Sequence, residues 1–107
     1  MIICKVKRKK GNISSVSITG HSEYEDVGKD IVCAAVSALS IAAVNGLTTF
    51  VKIEVKYEIK DDGFLEFELP EMIDHEKVLQ SNAIIETLYL GLKSIELEYN
   101  KYIRVEG

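Results

Sequence analysis

The sequence predicts a two-layer α+β domain of ββαββα order, an antiparallel sheet with two helices packed on one of its faces. Three patterns carry this. Four short stretches alternate apolar and polar residues with the period of a strand, the clearest being Val51, Ile53, Val55, Tyr57 and Ile59 against Lys52, Glu54, Lys56, Glu58 and Lys60. A run from Ile31 to Val51 holds no charged residue, and a second segment repeats apolar residues at helical spacing. Strands with one wet and one dry face need helices to cover the dry one.

In order, Ile2, Cys4 and Val6 face inward on the first strand while Lys5, Lys7 and Lys9 face water. Lys10-Gly11-Asn12 reads as a hairpin turn. Val16 and Ile18 continue the inward face on strand two, opposite Ser15, Ser17 and Thr19; Ile13 is out of phase, so this strand starts late or carries a bulge. A polar segment, Gly20 to Asp30, follows, with hinge glycines at Gly20 and Gly28, and Asp30 is a suitable N-cap for a helix of about Ile31 to Phe50. Strand three is Val51 to Ile59, Asp61-Asp62-Gly63 turns the chain, and Leu65, Phe67 and Leu69 form the inward face of strand four. Pro70 ends the sheet run. Asp74 caps a second helix, Ile73 staples onto Val78, and the buried stripe is Val78, Ile85, Leu88, Leu92, Ile95 and Tyr99. Tyr102 to Val105 has the makings of a short last strand.

A chain of 107 residues with 47% hydrophobic and 28% charged residues is expected to form one domain, residues 1–107, with a true core. The net charge of −4 argues against nucleic acid as the main ligand; Lys5 to Lys10 reads as strand residues facing water, where lysines discourage edge-to-edge pairing, with contact to an RNA-rich assembly as the alternative. The uncharged run approaches membrane-spanning length, but its serines, threonines, Asn45 and Gly46, and its many alanines, favour a fully buried central helix. Cys4 and Cys33 stand in no C-x-x-C or metal-ligand spacing, and the N-terminus turns basic at Lys5 before any apolar core forms. Two free thiols in a reducing cytoplasm, with no metal and no cofactor, is the expectation.

The chemistry concentrates between Gly20 and Ala38. If Asp30 is the N-cap, Cys33 falls in the first helical turn, where unsatisfied N–H groups and the helix dipole favour a thiolate. Its alternative is a small core residue in an alanine-rich helix. His21, twelve positions earlier, is either a general base paired with that thiolate or an exposed loop histidine. Ser37 lies one helical turn after Cys33 and either supports the site or bonds back to its own helix. His75 reads as a first-turn surface residue and Cys4 as core.

Gly20-His21, a polar loop with Gly28, and then Asp30-Ile31-Val32-Cys33-Ala34-Ala35-Val36-Ser37-Ala38 together resemble the signature of the ribosomal-processing cysteine proteases, the Prp family. The similarity runs over nearly the whole chain, including the Glu98-Tyr99 to Arg104 tail. It implies a bacterial, cytoplasmic, homodimeric endopeptidase that trims the N-terminal extension of large-subunit ribosomal protein twenty-seven after an aromatic-rich segment. It further implies a catalytic pair of His21 and Cys33 with Asp30 and Ser37 in support. The loop of Gly20, Ser22, Tyr24, Val27 and Gly28 would then close on the bound extension. The main alternative is a non-enzymatic ribosome-associated binding module, and a third is a thiol redox sensor.

Overall fold

The computed structural model describes residues 1–20, 27–60, 64–72 and 74–107. Strands β1 (Ile2–Lys9) and β2 (Asn12–Thr19) form a hairpin. Helix α1 (Val27–Asn45) follows and runs into a π-helical segment, Gly46–Val51. A second hairpin, β3 (Lys56–Lys60) and β4 (Phe64–Glu68), leads to α2 (His75–Glu98) and a last strand, β5 (Ile103–Glu106). The sheet order is β3-β4-β2-β1-β5. The fold is α+β as expected, but the sheet is mixed: β5 lies parallel to β1, the other neighbours being antiparallel. A strand returning from a crossover helix enters in the same direction as its neighbour, which a hairpin cannot achieve.

The β1–β2 turn has two central residues of positive φ, Lys10 at 55° and Gly11 at 84°, the mirror-type turn that suits strand twist. The register slips between Lys7 and Arg8, since Lys7 pairs with Ser15 while Arg8 pairs with Ile13. That bulge brings the out-of-phase Ile13 into the core, where it is 2% exposed. Cys4, Val16, Phe67, Ile85 and Leu92 are fully buried between sheet and helices. Asp74 caps α2 by accepting from the N–H groups of Glu76 and Lys77. The proposed Ile73 staple and the Asp61–Gly63 turn lie outside the described residues. On the α2 stripe, Ile85, Leu88 and Leu92 are buried, whereas Val78, Ile95 and Tyr99 are half-buried. Lys9 pairs with Glu71, and Arg8 with Glu86 beneath the Tyr89 ring, so the basic strand is partly neutralised at the surface. The Glu96 carboxylate accepts from Val105 N–H at 2.7 Å and pairs with Lys93, which fastens β5 to α2 and holds that carboxyl below its usual range.

Three expectations change. Strand three is shorter than the alternation suggested: β4 offers five residues as partners, so only Lys56–Lys60 pair, while Val51 closes the π-helical segment and Ile53 N–H bonds Leu47 carbonyl. Both Val51 and Ile53 are still buried, so the alternation reported burial rather than pairing. The long helix starts four residues earlier than expected, at Val27. It is also not buried all round. Val32, Val36, Ser40, Ala43 and Leu47 face the core, but Ile31 is 49% and Ile41 54% exposed. Two helices laid side by side on a sheet each keep an outward face, and alanine at Ala34 and Ala38 leaves that face narrow and apolar.

Within the core the Ser40 hydroxyl is buried with no hydrogen-bond partner among the described residues. An unpaired buried hydroxyl carries its desolvation cost without return, so Ser40→Ala is expected to leave the thermal midpoint unchanged or raise it, by up to about 1–3 kcal/mol of stability. Calorimetry checks this; a marked fall in the midpoint would show that the hydroxyl is satisfied.

Candidate active site

The chain leaves β2 at Gly20, whose φ is +100° and whose α-carbon has no room for a side chain: a Cβ there would run into the Met1 carbonyl oxygen. Glycine is thus imposed by both backbone conformation and space at the residue directly before His21. His21, Ser22 and Tyr24 lie outside the described residues. Val27 and Gly28 do not belong to a loop, for they are the first two residues of α1. Gly28 is therefore not the hinge expected from the sequence, and a segment running to Asp30 is four residues too long.

This earlier start also moves the thiol. Asp30 is a helical residue in the first turn rather than the N-cap, and Cys33 lies at the end of the second turn. There its N–H is bonded within the helix, and the dipole, which acts over the first turn, gives little help. The first-turn argument for a thiolate at Cys33 does not hold; an external base has to supply what the helix end does not. In exchange, Asp30, Cys33 and Ser37 fall at i, i+3 and i+7 on one stripe of α1. Asp30 and Ser37 are exposed and Cys33 is half-buried. Placing Asp30 as a cap had hidden this shared stripe, which becomes visible once the helix is begun at Val27.

The two free thiols differ sharply. Cys4 sits on β1 beneath the helices with none of its surface exposed, and burial, with Glu96 nearby, pushes its thiol up to about 12. Iodoacetamide is expected to label the native protein at Cys33 and to reach Cys4 only after denaturation, as read by peptide mass; prompt labelling of Cys4 in the folded state would contradict the placement. The sign of the pH effect follows. A thiol whose folded value is raised from 9.0 to about 12 binds more protons folded than unfolded between those values. Its contribution to stability is complete below about pH 9 and is lost as pH rises towards 12. Denaturant midpoints should fall over that window, and less steeply for Cys4→Ala.

A half-buried thiol on a helix flank, with a histidine twelve positions earlier in the chain, is a residue set that cysteine proteases use. Comparison with known proteins agrees. The family model for Cysteine protease Prp matches residues 1–104, and the chain belongs to that family. The Ribosomal processing cysteine protease Prp of Bacillus subtilis is 35% identical over 98% of this chain and 96% of its own length. Among solved structures, SMU.848 from Streptococcus mutans superposes with a TM-score of 0.87 at 30% identity, covering 99% of this chain and 96% of that one. The ribosomal processing protease Prp from S. aureus, in complex with a substrate peptide, gives 0.85 at 25% identity with both chains fully covered. The same S. aureus protein with a covalently linked product peptide gives 0.83 at 26% identity, covering 99% and 98% of the two chains. The chain is a cysteine protease of the ribosomal processing type.

Proposed function

We propose that this protease removes the N-terminal extension of large-subunit ribosomal protein twenty-seven, with Cys33 as nucleophile and His21 as its acid–base partner. The observation that carries the choice of nucleophile is the contrast between the two thiols: Cys33 is reachable on the flank of α1, and Cys4 is sealed on β1 beneath the helices. Since the helix end does little for Cys33, the imidazole takes on the whole of its activation. His21 accepts the thiol proton, the thiolate attacks the scissile carbonyl, and the C–N bond breaks as imidazolium passes its proton to the leaving amine. Water, deprotonated by His21, then attacks the thioester, releases the acid and restores the thiol. Oxyanion donors come from N–H groups outside the helix interior, because those around Cys33 are bonded along α1. Asp30 and Ser37, on the same stripe as Cys33, support the site.

The deciding experiment mixes the protein with the precursor ribosomal protein of the same cell and follows mass. Loss of a single N-terminal fragment supports the reading; an intact precursor beside a fully folded enzyme rejects it and favours the binding-module alternative.

The protein is further proposed to act in the cytoplasm as a homodimer. The uncovered face of α1, with Ile31, Ala34, Ala38 and Ile41, is apolar and small enough for a second copy to approach closely. Ile41→Glu is expected to halve the mass seen by light scattering without lowering the thermal midpoint of the protomer. An unchanged mass would place the interface elsewhere.

A further inference from the structure

The two helices cover the sheet unequally. α2 packs on β5 and β2, and its Gly91 and Ile84 lie against Leu39 of α1 and Gly46 of the π-helical segment, where an added methyl group would come within 3.1 and 3.2 Å. That fixes which flank of α1 faces α2. Round a helix of 3.6 residues per turn, Cys33 stands about 120° from Leu39, and Ser37 and Val44 share its side. The Cys33 flank therefore faces away from α2, towards the β4–β3 edge.

At that edge the sheet continues without a cover. One row on its helix-facing side runs Cys4, Ile18, Leu65, Ile59, and the next runs Val6, Val16, Phe67, Tyr57. Both rows are sealed over β1 and β2 and open at β3: Ile18 is 6% exposed and Ile59 66%, Phe67 is fully buried and Tyr57 58% exposed. The residues that ought to be driest by pleat are wet because no helix reaches them. Beyond the Cys33 flank of α1, the helix-facing side of the sheet therefore ends in the uncovered apolar side chains of β3. Ile18, in the same row as Ile59, stands two residues before Gly20, which His21 follows in sequence.

We propose that Tyr57 and Ile59 form an apolar subsite of the peptide groove, seating hydrophobic side chains of the substrate across from Cys33. The inference rests on the peptidase reading above. An extended peptide suits an uncovered sheet edge, along which it can lie. A peptide also puts alternate side chains down onto the sheet while its backbone stays level with the thiol. Outward-facing Glu58 on the same strand takes no part.

Steady-state cleavage tests this with two synthetic peptides: a copy of the precursor extension across the cut, and the same peptide with its apolar residues changed to serine. For the first peptide, Ile59→Ser and Tyr57→Ser should each raise KM about tenfold or more, the worth of one apolar contact in a hydrophobic subsite, with kcat unchanged. For the serine peptide, variant and wild type should be alike. Glu58→Gln should match wild type throughout. Both substituted residues are exposed, so the thermal midpoint should hold. An unchanged KM in both variants overturns the subsite while wild-type cleavage still stands. A loss of kcat with both peptides alike assigns these residues to supporting the chain, and a halved mass by light scattering gives the face to a second copy; each also overturns the subsite. No cleavage by wild type removes the peptidase reading itself, and the subsite with it.

Discussion

Replacing Cys33 with alanine is expected to reduce kcat by about 10⁶-fold, the scale on which deletion of a nucleophile acts in a paired site. The other thiol cannot take over. Cys4 is enclosed between β1 and the helices and held protonated. The structural cost should be small. Cys33 is half-buried on a helix flank, alanine has the better helix propensity, and a lost sulfur at a partly open position leaves no closed cavity. The thermal midpoint and circular dichroism should therefore match wild type while cleavage of the precursor disappears. Cleavage at an appreciable fraction of the wild-type rate would sink the assignment of Cys33. Cys33→Ser sharpens the test, since it keeps shape and hydrogen bonding but lacks the ionisation of a thiol.

Gly20→Ala carries the largest expected effect at a residue that does no chemistry. A side chain at φ +100° is strained, and its first carbon meets the Met1 carbonyl and the Ile2 backbone. The two penalties together come to about 2–5 kcal/mol, a large part of the stability of a domain of this size. Since Ile2 holds β1 to β5, relief of the clash would also disturb the pairing that closes that edge. Chemical denaturation should show the loss, and whatever folded enzyme remains should cleave poorly because the chain leaves the sheet towards His21 in a changed direction. A variant of wild-type stability would mean that the β2 terminus is more adaptable than its geometry indicates.

Much of the architecture was legible in the residues because burial leaves a periodic trace. Cys4, Val16, Ile18 and Phe67 announce a dry sheet face, Asp74 announces the start of α2, and Ile13, out of step, announces the bulge that brings it inside. The trace is of burial, however, not of hydrogen bonding. From Val51 to Val55 the chain alternates as a strand does, yet only Lys56 onwards finds a partner, and the parallel seating of β5 beside β1 leaves no mark in local sequence. The site divides in the same way. The pattern around Gly20, Asp30, Cys33 and Ser37 singled out the region, but Asp30 serves equally well before a helix or inside its first turn, so the helix start and the thiol's place along it were misjudged.

The sequence by itself determined the α+β class, the two helices and which thiol is chemically interesting, because these depend on residue type and on periods of two and 3.6 residues. The tertiary structure decided the rest. It set Cys33 in the second turn, on the flank turned away from α2, and it left Tyr57 and Ile59 uncovered on the helix side of the sheet. Those outcomes depend on where two helices come to rest across five strands, a packing result between segments far apart in the chain that no local pattern encodes.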